Sequence, residues 1–364
     1  MNSRENMYLK SRFNELSCLL KEFMENIYKN SKNLILISKQ INNVLNNCDS
    51  ITYDEPGTAE AYTILHFMDR YHRFQLIFNE LNCQGLMPQK NRLINILDVG
   101  TGPGPSMYAL SDFYTTRLKN IDTNANYTDS GFKIDYVERS KEFRHWLHHF
   151  TEYINSHCPS KIQWQVPYHH GSFHDFKAIE FNPKFTYFDY NSSGDMVSRN
   201  YVHKHRFDLI VFSNFFTTKE QIQSFSEELK NCMRFLRNNG ILVVVGAKGE
   251  SEKYKEVYEE ISRILLNENF NNGRFKASCR KIELDSPILR YSWGDEFGHE
   301  LKTIIAKFRE EIVEIDDNFI QRDIAKILEK TIKDEYSKSI EWEVHVFKKY
   351  ARIRNKNKSN KTLK

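Results

Sequence analysis

The stretch "NILDVGTGPGPSMYAL", residues 95–110, sets three glycines and two prolines between an apolar run and a segment of helical character. A glycine turn between a strand and a helix lets the backbone come close to a ligand and leaves unpaired N–H groups at the helix start. The spacing discriminates among ligands. Gly100, Gly102 and Gly104 form G-x-G-x-G, whereas the dinucleotide fingerprint G-x-G-x-x-G needs glycine where Pro105 stands. Asp98 closes the strand just before the turn. A carboxylate there favours a ligand with a cationic amino group over a nicotinamide dinucleotide.

Working outward, short runs rich in Ile and Val alternate with helical segments from Leu93 onward, which is the pattern of strand–helix units in a parallel sheet. The runs are "INILDVG", "KIDYVER", "IQWQVPYHHG", "FDLIVFSN" and "GILVVVGA", followed by a candidate sixth strand in "RKIELDSPILRY", helical material at 295–337 and a final strand in "SIEWEVHVFKKY". Upstream, Phe13, Leu16, Leu19, Leu20, Phe23 and Ile27 recur at helical spacing, with a second such stretch around Leu34–Leu45. Pro56-Gly57 then opens a long amphipathic helix that stops near Gly85. The expected organisation is a helical N-terminal cap over residues 1–90, an α/β domain with a C-terminal extension over 91–350, and a basic, disordered tail over 351–364.

The 364 residues exceed what one compact domain usually needs, and a 40% hydrophobic, 13% aromatic composition supplies a packed core. The net charge of +4 points neither toward nor away from nucleic acid. The N-terminus is interrupted by charge throughout, unlike a signal peptide, and no apolar run reaches membrane-spanning length, so a cytoplasmic protein is expected. Six cysteines lie far apart with no C-x-x-C pair, which signals neither a zinc site nor a disulfide framework; no metal is expected.

With these elements in place, "LDVGTGPG" resembles the first motif of the class I S-adenosylmethionine-dependent methyltransferases. The resemblance implies a Rossmann-like sheet, mostly parallel with the last strand antiparallel, and S-adenosyl-L-methionine as cofactor. It assigns cofactor binding to Asp98, Gly100, Thr101, Gly102 and Gly104, and the ribose hydroxyls to Glu138 at the end of "KIDYVE". Glu138 lies 34 residues after Gly104, where about 20 is usual in such nucleotide-binding units; the polar loop "KNIDTNANYTDSG" absorbs the excess. Ser172 and Phe173 match the adenine-side loop, and Ser213, Asn214 and Phe215 match the mouth of the active site. A shorter similarity links the helical N-terminus and "LDVGTGPGPSMYAL" to ribosomal small-subunit methyltransferase-like proteins, although their cysteine cluster is missing.

The methyl acceptor is not legible. The Asn/Asp-Pro-Pro-Tyr/Phe motif of amino-group nucleic-acid methylases is replaced by "SNFFT", and Cys232 falls on a helix, where a buried structural thiol is the ordinary reading. His169 and His170 are candidates for a base, against the plainer reading of a polar strand end. Arg70, Tyr71 and Arg73 could gate the pocket, but aromatics at helical spacing usually pack. The tail carries eight Lys/Arg from Lys348 to Lys364 and no acid, which suits RNA phosphates as well as solvation. A small-molecule acceptor is placed slightly ahead of RNA. The alternative is an inactive methyltransferase-like factor that binds RNA or protein.

Overall fold

The computed structural model describes residues 3–28, positions 33, 36, 37, 39–41, 43 and 44, and residues 53–89, 94–119, 132–157, 184–190, 196–202, 207–213, 215–248, 252–267, 275–282 and 342–351. The expected strand at 162–171, the helical material at 295–337 and the tail beyond 351 lie outside them, as do Ser172, Phe173, Asn214, His169 and His170.

After helix α1 (Ser3–Tyr28) come α2 (Thr58–Tyr62), a π-helical turn (Thr63–Phe67) and α3 (Met68–Cys83). The sheet region follows: β1 (Ile94–Val99), α4 (Pro105–Lys119), β2 (Phe132–Val137), α5 (Lys141–His157), β3 (Lys184–Tyr190), β4 (Met196–Val202), β5 (Phe207–Ser213), α6 (Lys219–Ser224), α7 (Ser226–Phe235), β6 (Leu236–Ala247), α8 (Glu252–Leu265), β7 (Phe275–Ile282) and β8 (Trp342–Ala351). Six strands form one sheet in the order β2-β1-β5-β6-β8-β7. Strands β2, β1, β5 and β6 are mutually parallel, and β8 runs antiparallel between β6 and β7. The mixed sheet with an antiparallel last strand is the architecture expected from the sequence.

The central strands are apolar almost continuously because both faces are covered. Alternate residues feed two cores: Ile96, Val211, Val243 and Val346 enter one, and Leu97, Ile210, Leu242 and Phe347 the other. The first core also holds Leu16, Leu20 and Met24 of α1, Ile37, Ile41 and Val44, and Phe67, Tyr71, Phe74 and Phe78. The N-terminal helices therefore share a core with one face of the sheet. Gly85 ends α3 in the left-handed conformation (φ 66°), with its N–H bonded to Asn82 O and that of Leu86 to Leu81 O, which matches the sequence-expected stop.

Two features depart from the sequence reading. Strands β3 and β4 pair antiparallel in a separate two-stranded sheet that hydropathy did not announce. The strand expected at "GILVVVGA" begins earlier, at Leu236, and carries an irregularity where Asn239 takes φ 66° and the pairing with β5 shifts between Phe207 and Leu209. Among the described residues no helix is long and apolar enough to cross a membrane.

A buried polar knot fixes the N-terminal helices to the sheet region. Arg12 Nε of α1 donates to Asp112 Oδ1 of α4 at 2.8 Å, the Tyr71 hydroxyl of α3 donates to Asp112 Oδ2 at 2.5 Å, and Gln75 Nε2 donates to the Tyr71 oxygen at 2.9 Å. Removing one partner strands the others in low dielectric. Asp112→Ala is accordingly expected to cost about 3–5 kcal/mol, with Asp112→Asn losing less; thermal unfolding followed by circular dichroism reads the difference, and an unchanged midpoint for the alanine variant would contradict the role given to the knot.

Candidate functional site

At the C-terminal edge of the parallel strands, β1 and β2 end side by side, with Gly100 N–H donating to Val137 O at 2.8 Å. The turn that leaves β1 holds Gly100, Gly102 and Gly104 at φ 68°, 56° and 94°, a region that residues with a Cβ rarely enter. Gly100 and Gly104 also answer to packing: a Cβ would meet Phe215 Cδ2 at 2.3 Å in the first case and Leu147 Cδ1 at 2.6 Å in the second. Gly102 differs, because nothing lies within 4 Å of its Cβ position. The backbone there faces open space.

Asp98 is wholly buried beneath this turn. Its Oδ2 accepts from Thr101 Oγ at 2.5 Å and from Ser106 Oγ, in the first turn of α4, at 2.6 Å. Its Oδ1 is buried and has no hydrogen-bond partner among the described residues. Burial outweighs the two hydroxyl donors and pushes the carboxyl up to about 6. An orphaned carboxylate oxygen beside an open glycine backbone is built to receive a cationic donor.

Glu138 follows β2. Its Oε2 accepts from Gly102 N–H and its Oε1 from Ser140 N–H, each at 2.8 Å. Burial raises its carboxyl above the ordinary value against the pull of these amides. The Arg139 amide also acts on this carboxylate, and its further acceptor capacity can serve a ligand's hydroxyls. The glycine turn and the second acidic residue, separated by a long loop in sequence, are thus in direct hydrogen-bond contact.

Two participants were not named from the sequence. Ser106 shares the task of holding Asp98. Ser140 caps α5 by accepting from Phe143 N–H at 3.2 Å and donates its hydroxyl to Tyr53 O at 2.5 Å, so the segment before α2 rests on the end of β2 next to Glu138. Tyr53 is left-handed (φ 57°) and its ring packs on Phe143 and Tyr62. The Ser-x-x-Phe cap at 140–143 is visible in the sequence; its docking on Tyr53 is not.

Ser213 ends β5, buried, and Phe215 beyond it packs over Gly100 and against Phe212, Phe216 and Phe225. The gate suggested for Arg70, Tyr71 and Arg73 is not seen. Tyr71 belongs to the knot on Asp112, Arg73 is buried against Asp69 with its guanidinium 3.7 Å from the Trp342 ring centroid, and Arg70 pairs with the Tyr62 hydroxyl. Cys232 is fully buried, which pushes its thiol well up, as suits a structural thiol. The basic run also needs a correction. Lys348 and Lys349 belong to β8, and the buried Lys349 Nζ donates to the carbonyls of Met233, Arg234 and Leu236 at 2.7–2.9 Å, closing the end of α7. It is not available to a phosphate. A cavity of about 780 Å³ between α8, β7 and β8, lined by Tyr258, Lys281, Glu343 and His345 among others, includes no residue of the glycine turn.

No family model matches the sequence, and no curated protein matches it. Among solved structures, similarity in chain course extends to a putative sarcosine dimethylglycine methyltransferase from Galdieria sulphuraria (14% identity, covering 77% of this chain and 85% of that one, TM-score 0.39). It extends also to loganic acid methyltransferase with S-adenosylhomocysteine (10%, 82% and 96%, 0.42) and to the plantazolicin methyltransferase BpumL with a substrate analogue and S-adenosylhomocysteine (11%, 94% and 99%, 0.37).

Between pH 4 and about 6 the folded protein retains a proton on Asp98 that the unfolded chain releases, so this residue's contribution to stability falls as pH rises through that window. Asp98→Asn removes the buried charge and keeps an acceptor for Thr101 and Ser106. The variant should unfold at a higher temperature than wild type at pH 7 and at nearly the same temperature near pH 3.5; calorimetric melts at both values decide, and a less stable variant at pH 7 would refute the assignment.

Proposed function

We propose that the protein is an S-adenosylmethionine-dependent methyltransferase. The carrying observation is the buried Asp98, whose Oδ1 is unpartnered beside the open backbone of Gly102, with Glu138 one hydrogen bond away. This donor set fits the cofactor: a carboxylate for the α-amino group, glycine backbone for its close approach, and a second carboxylate for vicinal ribose hydroxyls.

S-adenosylmethionine supplies an electrophilic sulfonium methyl group for in-line displacement. The chain's own share is binding and alignment. Asp98 holds the amino end, Gly100, Thr101, Gly102 and Gly104 shape the floor, and Glu138 fixes the ribose. Ser213, Asn214 and Phe215 border the reacting end, while Ser172 and Phe173 cover the adenine. Residues 1–90 form the cap that closes the site over a core of 91–350, with Tyr53 beside Glu138. The acceptor we favour is a small molecule, because the basic run loses Lys349 to internal capping.

The second reading, a methyltransferase-like scaffold for RNA or protein with a ribosomal link, has less support. A scaffold gains nothing from an uncompensated buried carboxylate, which costs stability.

Calorimetry with S-adenosylhomocysteine should detect binding that Gly102→Arg abolishes by filling the open space. Affinity should fall as the pH drops below about 6, because Asp98 then takes up a proton and no longer pairs with the ammonium. Wild-type protein giving no heat at millimolar ligand would sink the proposal. Labelled cofactor offered with fractionated cell extract identifies the acceptor class. A protein lacking residues 1–90 is expected to expose apolar surface and lose transfer; a soluble truncation with full activity would show the cap to be dispensable.

A further inference from the structure

Helix α5 is two-faced. Phe143, Trp146, Leu147, Phe150 and Ile154 are buried, while His145, His148, His149 and Glu152 lie on the other side in the run "HWLHHFTE". Residues four apart on a helix stand one turn above each other on the same face. His145 and His149 have that spacing. Their ring centroids are 4.1 Å apart at an interplanar angle of 46°, both residues are exposed, and neither makes a hydrogen bond among the described residues.

Two imidazoles that ligate one ion at a metal–nitrogen distance of about 2.0–2.1 Å hold their ring centroids about 4.5–5 Å apart, which a small rotation of the two exposed side chains reaches. The surroundings favour a cation. Glu60 of α2 lies near Glu142 and His145 of α5, and its Oε2 is buried without a hydrogen-bond partner among the described residues. On the other flank, His148 Nε2 is 3.4 Å from Glu152 Oε1.

We infer that the outer face of α5 carries a binding site for one divalent transition-metal ion, chelated by the imidazoles of His145 and His149. Imidazole pairs select zinc, nickel and copper over magnesium and calcium, which prefer oxygen ligands. Among the described residues no group of three His, Cys, Asp or Glu is arranged to hold a metal, so water completes the coordination sphere and the ion exchanges readily. The site is distinct from the glycine turn, yet tied to the same helix. Ser140 caps α5 next to Glu138, and Leu147 of α5 packs against the turn at Gly104. An ion bridging one turn of α5 stabilises the folded state in proportion to its affinity, and with it the helix that backs the candidate cofactor site.

The test is a titration of the full chain, freed of metal by chelator, with nickel chloride and with zinc chloride, read by calorimetry and by thermal unfolding. Wild type should bind one ion per chain and melt at a higher temperature in its presence. His149→Gln and His145→Gln, both at exposed positions, should melt like wild type without metal, and each should weaken binding by roughly tenfold or more and lose the metal-dependent rise. Magnesium chloride should give neither signal. If the double variant binds nickel as tightly as wild type, the ion is held by other histidines and the assignment is wrong; if wild type shows no heat and no shift at millimolar nickel or zinc, there is no site.

Discussion

The carboxylate of Asp98 under the glycine turn is the constraint on which the rest of the site depends. It sits at the end of a fully buried strand, held through one oxygen by Thr101 and Ser106. Those two bonds tie the end of β1 to the first turn of α4 and so fix the path of the three left-handed glycines between them. Among the described residues the other oxygen has no partner, a cost that a protein selected only for stability would shed by substitution. Charge buried at the expense of folding is the usual signature of a group kept for a ligand.

Around that carboxylate the support is layered. Glu138 reaches back from β2 to the amide of Gly102, so the two acidic residues are mutually positioned through one peptide group. Phe215, at the end of β5, presses on Gly100, and Leu147 of α5 presses on Gly104. Packing thereby closes the turn from the β5 side and from the α5 side and leaves the Cβ position of Gly102 clear. The N-terminal helices join the same assembly through the first core and the Arg12–Asp112–Tyr71 knot, whose acceptor lies on the helix that begins at the glycine turn. Their docking and the geometry of the glycine turn are therefore linked through α4.

The far side of the sheet solves a different problem. Strand β8 enters antiparallel between β6 and β7, and its Lys349 crosses to the end of α7, where three backbone carbonyls receive its ammonium. A lysine taken out of water needs such a set of acceptors, and the helix terminus needs a cation. Both demands are met by one residue that, by composition, looked like part of a solvated basic tail.

Much of this protein is written locally. The strand–turn–helix at 94–119, the continuous apolar character of β1, β5 and β6, the helical spacing of α1, the stop at Gly85 and the place of Asp98 before the glycine turn all follow from short-range patterns, because periodicity and turn chemistry act over a few residues. What lay beyond the sequence was set by contacts between distant segments. Tyr71 and Arg73 could be read as a gate until burial paired them with Asp112 and Asp69; Lys349 until it met α7; Ser106 and Tyr53 until folding brought them to Asp98 and Ser140. The pair β3–β4 was missed because two short strands that, among the described residues, pair with each other alone leave a weak hydropathy signal. The sequence by itself determined the elements and the chemistry of the turn; only tertiary structure decided which polar groups are spent on one another and which, like Asp98 Oδ1, are left over, since a buried group's partners are chosen by the whole fold.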